Sequence, residues 1–90
     1  MSLVTTGEPG HRDFKTDNVY FFMLDHQRRR IRCAVTLEAL ENFDPQLDRR
    51  FDTVKCLEAH RDRIEQIASA KFDIGNIETD DTVMVRAADV

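Results

Sequence analysis

Apolar residues along this chain fall into blocks whose spacing changes from one to the next, and each spacing predicts an element. Val19-Tyr20-Phe21-Phe22-Met23-Leu24 is a continuous aromatic and aliphatic run bounded by Asn18 and Asp25. Such a run predicts a central strand, or one covered on both faces. Asp25-His26-Gln27-Arg28-Arg29 is polar and supplies a turn. Ile31, Cys33 and Val35 then alternate with Arg30, Arg32 and Ala34, the period of a strand with one buried and one wet face. Together the two segments predict a β-hairpin.

Helical spacing follows. Leu37, Ala39, Leu40 and Phe43 predict a short helix ending near Asn42, and the Thr36 hydroxyl can accept a free amide of its first turn. From Pro45 to Phe72 there is neither glycine nor interior proline, room for about seven helical turns. Asp44 is placed to cap this run, and Pro45 takes the first helical position, where its missing N–H does no harm. Gly75 marks the stop. Leu47, Phe51, Val54, Leu57, Ile64, Ile67, Ala68 and Phe72 form the apolar stripe. The stripe drifts around the axis as a repeat of about 3.5 residues does. A helix curved over a sheet, a seam against a second copy, or two helices with a bend near Lys55 all produce that drift.

Residues 74–81 read as a loop or short ribbon, after which Val83, Val85 and Ala87 alternate with Met84, Arg86 and Ala88 and predict a last strand. Residues 1–17 show no sustained period and read as a flexible N-terminal tail with Phe14 as its candidate anchor. Residues 18–90 then make a single domain. The expected fold class is α+β: a small antiparallel β-sheet of three to four strands, element order β-β-α-α-β, with a short and a long helix packed on one face.

Composition narrows the setting. Ninety residues allow one domain with a small core that a partner can complete. Hydrophobic residues at 41% and charged residues at 33% fit a soluble globular protein. A net charge of -4 argues against a surface that grips nucleic acid as a whole, and leaves a local basic patch open. The start lacks the pattern of a signal peptide and no stretch reaches membrane-spanning length, so the expected setting is cytoplasmic with no membrane partner. Cys33 and Cys56 form no CxxC pair and read as reduced, half-buried thiols.

Arg61 interrupts the apolar stripe of the long run, with Glu58 three residues before it and Glu65 four after, on the same helical face. Two readings follow. One is an ion-paired arginine at the edge of the core; the other is a fork that two glutamates aim at an anion or a partner. Cys56 and His60 are four apart, but a closed zinc site needs four ligands, and Cys33, His26 or Asp25 would have to be recruited by the fold. No metal or other cofactor is expected. Glu38, Glu41, Glu58, Asp62 and Glu65 are carboxylates at ordinary density, no third group supports a Cys56–His60 nucleophile, and no glycine-rich phosphate loop occurs. No catalytic residue stands out, so the chain is not expected to be an enzyme. Arg28, Arg29, Arg30, Arg32 and Arg86 are the remaining cluster, a candidate anion or nucleic-acid patch on the hairpin and last strand. The same charges also read as a solvated edge that discourages strand pairing.

The segment Ile31-Arg32-Cys33-Ala34-Val35-Thr36-Leu37-Glu38-Ala39-Leu40 resembles the strand and capped helix of a small bacterial family, the domain of unknown function 1488. Leu57-Glu58-Ala59-His60-Arg61-Asp62-Arg63-Ile64-Glu65, with Ala68, Lys71 and Phe72, resembles its long helix, and Val83-Met84-Val85-Arg86-Ala87-Ala88-Asp89 its last strand. The resemblance spans about Asn18 to Val90 and implies a short α+β protein in a bacterial cytoplasm. It carries over no catalytic or binding residue. The leading expectation is a non-enzymatic domain acting through protein contacts, as a homodimer or with an unidentified protein partner. The alternative is an accessory nucleic-acid binder or regulator using the arginines.

Overall fold

Polar turns and apolar runs divide the chain much as their spacing predicts, in a computed structural model that describes residues 3–90. The strands are β1 (Val4–Thr5), β2 (His11–Arg12), β3 (Val19–Leu24), β4 (Arg30–Val35) and β5 (Val83–Val85), and the helices are α1 (Leu37–Phe43), α2 (Thr53–Ala59) and α3 (Arg61–Asp73). A 3-10 turn, Ala87–Asp89, follows β5. The result is α+β, with one mixed sheet in the order β1-β3-β4-β5 and β2 paired to the same edge of β3 as β1.

The hairpin forms as its pattern predicts, with Phe21 opposite Cys33 and Leu24 opposite Arg30. Asp25 shapes its turn, accepting the amides of Gln27 and Arg29 at 2.9 Å each on one carboxylate oxygen. Val19, Phe21 and Met23 point inward with Cys33, Val35, Val83 and Val85, against Leu37, Leu40, Leu57, Ile64, Ile67 and Ala68 of the helices. The helices therefore cover one face of the sheet, and among the described residues the other face has none.

Four expectations are corrected. The sheet is not antiparallel throughout, because β5 runs parallel to β4 with Cys33 beside Val83. All three helices intervene between these strands, and a crossover on one face returns the chain to the end from which it set out. Next, the single long helix does not form. Asp44 accepts the Gln46 amide at 3.1 Å and Asp48 accepts the Arg50 amide at 2.8 Å, and such local side-chain bonds compete with helix. Helix starts only at Thr53 and bends at His60, whose ring stacks on Phe43 with centroids 5.0 Å apart. Phe51, placed in the stripe by its spacing, is 75% exposed as a result.

Third, the segment before Asn18 is not a free tail. Val4 and Thr5 pair with Leu24 and Met23, His11 and Arg12 pair with Tyr20 and Val19, and Leu3 is buried. Its anchor is Leu3 rather than Phe14, which is 80% exposed beneath the Arg12 guanidinium. Fourth, Ala87 leaves the last strand for the 3-10 turn. The stop at Gly75 stands: with φ +76 it lets Asn76 donate to Lys71 O and Gly75 to Phe72 O, closing the end of α3. No helix among the described residues is long and apolar enough to cross a membrane.

Gly10 shows how tightly the N-terminal segment is held. A Cβ there would collide with the buried Leu57 Cδ2. Gly10→Ala should therefore cost about 1–3 kcal/mol through overpacking, read as a lower urea midpoint with an unchanged slope. An unchanged midpoint would mean that this segment does not pack on α2 in solution.

Candidate functional site

Arg61 opens α3 at the bend, and its surroundings explain why an arginine stands in the apolar stripe. Its Nε donates to Glu65 Oε2 at 3.1 Å and its Nη1 to Glu58 Oε1 at 3.0 Å. Nη1 also reaches the backbone oxygen of Glu8 at 2.6 Å. Glu58 Oε1 in turn accepts the Gly10 amide at 3.2 Å. The Arg61 side chain is only 11% exposed, with its guanidinium carbon 5.8 Å from the centre of the Phe21 ring. Its donors on Nε and Nη1 are thus engaged within the chain, while Nη2 is buried without a hydrogen-bond partner among the described residues. The two glutamate pairs match the spacing; the bond to Glu8, fifty-three residues away, had no signal in it.

The arginines of the hairpin also sit in defined pairs. Arg29 binds Asp25 at 2.8 Å, Arg30 binds Glu8 at 2.6 Å and Arg32 binds Asp80 at 2.9 Å. Arg86 pairs with Glu78. Of the five, Arg28 alone forms no ion pair among the described residues; it occupies the turn at φ 61, its amide donating to Asp25 O at 3.0 Å. Arg30 and Arg32 share the helix-free face, as alternation predicts, and lie over Phe22 and Tyr20 at 4.1 and 5.6 Å from the ring centres. Arg86 is separated from them. It follows Val85, the partner of Val35, which puts it about 20 Å along β4 from Arg30 at about 3.3 Å per residue. Glu8, Glu78 and Asp80 went unnoticed as site residues because each meets its arginine only through the fold.

The remaining candidates take quiet positions. Cys33 donates weakly to Ile31 O at 3.7 Å and Cys56 to Leu40 O at 3.6 Å, and both thiols are free and buried. Burial pushes the Cys33 thiol up to about 12, with the Glu65 charge adding to the rise and Arg61 opposing it. Burial also raises Cys56, helped by Asp44 and Asp52. Thiols raised in this way are poor nucleophiles near neutral pH. Among the described residues no group of three or more His, Cys, Asp or Glu side chains is placed to hold a metal ion.

At the far end of the sheet, Lys71 is 8% exposed and donates to Met84 O at 2.5 Å and to Asp89 Oδ2 at 2.7 Å. Asp89 also accepts the Arg86 amide at 2.9 Å. Burial works to raise the Asp89 carboxyl, but Lys71 and the Arg86 amide overcome it and hold the group below its ordinary value.

The chain is thus a two-layer α+β domain whose charged side chains are largely paired within it. The comparisons place it more closely. The family model described as "Protein of unknown function (DUF1488)" matches residues 10–85, so the chain belongs to that family. A crystal structure at 1.60 Å resolution of a DUF1488 family protein of unknown function from Shewanella loihica PV-4 has the same fold. It superposes with a TM-score of 0.80 at 16% identity, covering 93% of this chain and 91% of that one. No curated protein matches the chain.

Two outcomes follow for stability. Arg61→Ala leaves Glu65 buried without its cation and should cost about 3 kcal/mol in chemical denaturation, with Arg61→Lys losing less; an unaltered midpoint would assign Arg61 to binding instead. For Asp89 the folded value is depressed, so its contribution is present above the ordinary value of 3.8 and is lost as pH falls through the folded value. Asp89→Asn should flatten that part of the acid-unfolding curve, and a superimposable curve would rule the pairing out as a source of stability.

Proposed function

We propose that this domain is non-enzymatic and works by protein contact, the helix-free face of its sheet pairing with the same face of a second copy. One observation carries the reading: the outward half of β3. A strand with one face in water alternates apolar-in and polar-out. Here the outward positions are Tyr20, Phe22 and Leu24, each part-exposed, and Met84 of β5 joins them. Val4, opposite Leu24, is 57% exposed. A sheet face of this composition is suited to being covered.

The rim favours self-contact. Arg30 with Glu8, Arg32 with Asp80 and Arg86 with Glu78 carry both signs around the apolar positions. A two-fold contact sets a patch against itself, so arginines of one copy can meet carboxylates of the other. The nucleic-acid reading fits this surface less well. Carboxylates neutralise Arg29, Arg30, Arg32 and Arg86, and the ring faces on which a base would stack are occupied by Arg30 and Arg32. The raised thiols of Cys33 and Cys56 support a role without nucleophilic chemistry.

Size-exclusion chromatography with light scattering at high micromolar concentration should give a dimer, and Phe22→Asp a folded monomer. A wild-type chain that stays monomeric overturns the pairing. Anisotropy with labelled DNA and RNA at low salt should show no binding. Binding that is abolished by Arg30→Ala with Arg32→Ala would instead establish the arginines as a phosphate surface.

A further inference from the structure

One segment supplies parts of the helix-free face and is held there from the opposite layer. Residues 3–12 run antiparallel along β3, pairing with it at Val4 and Thr5 and again at His11 and Arg12. Residues directly opposite in such a ladder share a face of the sheet. Val4 therefore stands beside the outward Leu24, and His11 beside the outward Tyr20. Between them the Thr6 hydroxyl donates to Phe22 O at 3.1 Å, and Glu8 gives the face one of its rim carboxylates. Without this segment the face loses an apolar position, a charge and the cover of the β3 edge.

What holds the segment lies among the helices, since strands of two residues are marginal alone. The amide of the buried Leu3 donates to Ser69 Oγ of α3 at 3.2 Å, and that of Gly10 to Glu58 Oε1 of α2 at 3.2 Å. Arg61 Nη1 joins the middle of the segment to the same glutamate, reaching Glu8 O at 2.6 Å and Glu58 Oε1 at 3.0 Å. From Glu8 the contacts continue onto the other face. Its Oε2 accepts from Arg30 Nη2 at 2.6 Å. Arg30 is rooted in β4 and crosses β3 to reach it, which lays its guanidinium carbon 4.1 Å from the centre of the Phe22 ring. Three consecutive contacts thus join Arg61 in the helical layer to Phe22 on the helix-free face.

We propose that Arg61 is a positioning residue for the pairing surface: by latching Glu8 it docks residues 3–12, and this docking is linked to pairing between copies. The inference rests on the reading in which the helix-free faces pair. Linkage is reciprocal, so a change that loosens the segment weakens pairing, and pairing in turn holds the segment down. Lysine is a point charge without the planar fork that meets two carboxylates and a carbonyl at once. Arg61→Lys therefore keeps a cation beside the buried Glu65 while giving up the latch.

The test compares the full wild-type chain with Arg61→Lys, Glu8→Gln and Val83→Ala, all labelled with nitrogen-15. Val83 is buried on β5, two strands from β3, so its truncation lowers stability without touching the segment. Light scattering over a concentration series should show Arg61→Lys weakening the dimer by at least about tenfold, and Val83→Ala leaving it unchanged despite a lower urea midpoint. In spectra of the monomer, Arg61→Lys should move the Leu3 amide and take Arg30 Nε–H out of the ring-current field of Phe22. Glu8→Gln should move Arg30 Nε–H alone, because the backbone oxygen that Arg61 holds remains. An Arg61→Lys dimer as tight as wild type, an equal loss in Val83→Ala, or an Arg30 Nε–H that Arg61→Lys leaves in place would each overturn the latch while the pairing stands. A wild-type chain that stays monomeric at high micromolar concentration removes the pairing itself, and the linkage with it.

Discussion

Two helices, the N-terminal segment and the centre of the sheet meet at the Arg61 guanidinium. It joins Glu58 of α2 to Glu65 of α3 across the bend, and it holds the N-terminal segment through the Glu8 carbonyl. Phe21, at the centre of the sheet, lies beneath it. A hydrophobic residue here would satisfy the stripe yet leave Glu65, itself 8% exposed, without a cation, and the Glu8 carbonyl without its donor. Replacing a buried ion pair by apolar groups is often neutral for stability. Arginine is better explained by geometry: one planar fork fixes three chain segments in a single arrangement. The cost is visible in Nη2, buried with no hydrogen-bond partner among the described residues.

Fixing the N-terminal segment decides what the sheet shows to the outside. β1 and β2 are only two residues each and hold few ladder bonds of their own. They stay on β3 because Leu3 is buried with its amide on Ser69 Oγ at 3.2 Å, Gly10 is wedged against Leu57, and Glu8 is caught by Arg61. Once there, they close one edge and bring the Glu8 carboxylate to Arg30. That bond draws Arg30 over Phe22 and away from the start of β4. A contact in the helical layer is thereby linked to the state of the opposite face.

Local signals were legible in the sequence, and long-range ones were not. The hairpin, the Thr36 cap, which accepts the Ala39 amide at 3.2 Å, and the stop at Gly75 each depend on residues a few positions apart. So does the Glu58–Arg61–Glu65 cluster. The long helix was misread because the stripe is periodic through Asp44, Asp48 and Asp52, while those side chains and their backbones close separate turns. Two-residue strands carry no period, which hid the N-terminal pairing. The parallel direction of β5 depends on the path of the helices, to which alternation along three residues is blind. Among the charges, the arginines of the hairpin and of the last strand's end were evident, but Glu8, Asp80 and Glu78 become their partners only in the folded chain.

The family relation sharpens the meaning of these features. The Shewanella protein keeps the fold over 93% of this chain at 16% identity, so the arrangement of strands and helices tolerates wide change in the residues that build it. Such tolerance is typical of cores, where hydrophobic patterning and total volume matter more than particular side chains. It throws weight onto what packing does not require. An apolar outward register on β3 and a buried arginine fork are each costly or neutral for an isolated domain. The first is an apolar surface of the kind that covering favours, and the second fixes the segment whose Glu8 carboxylate holds Arg30 over Phe22.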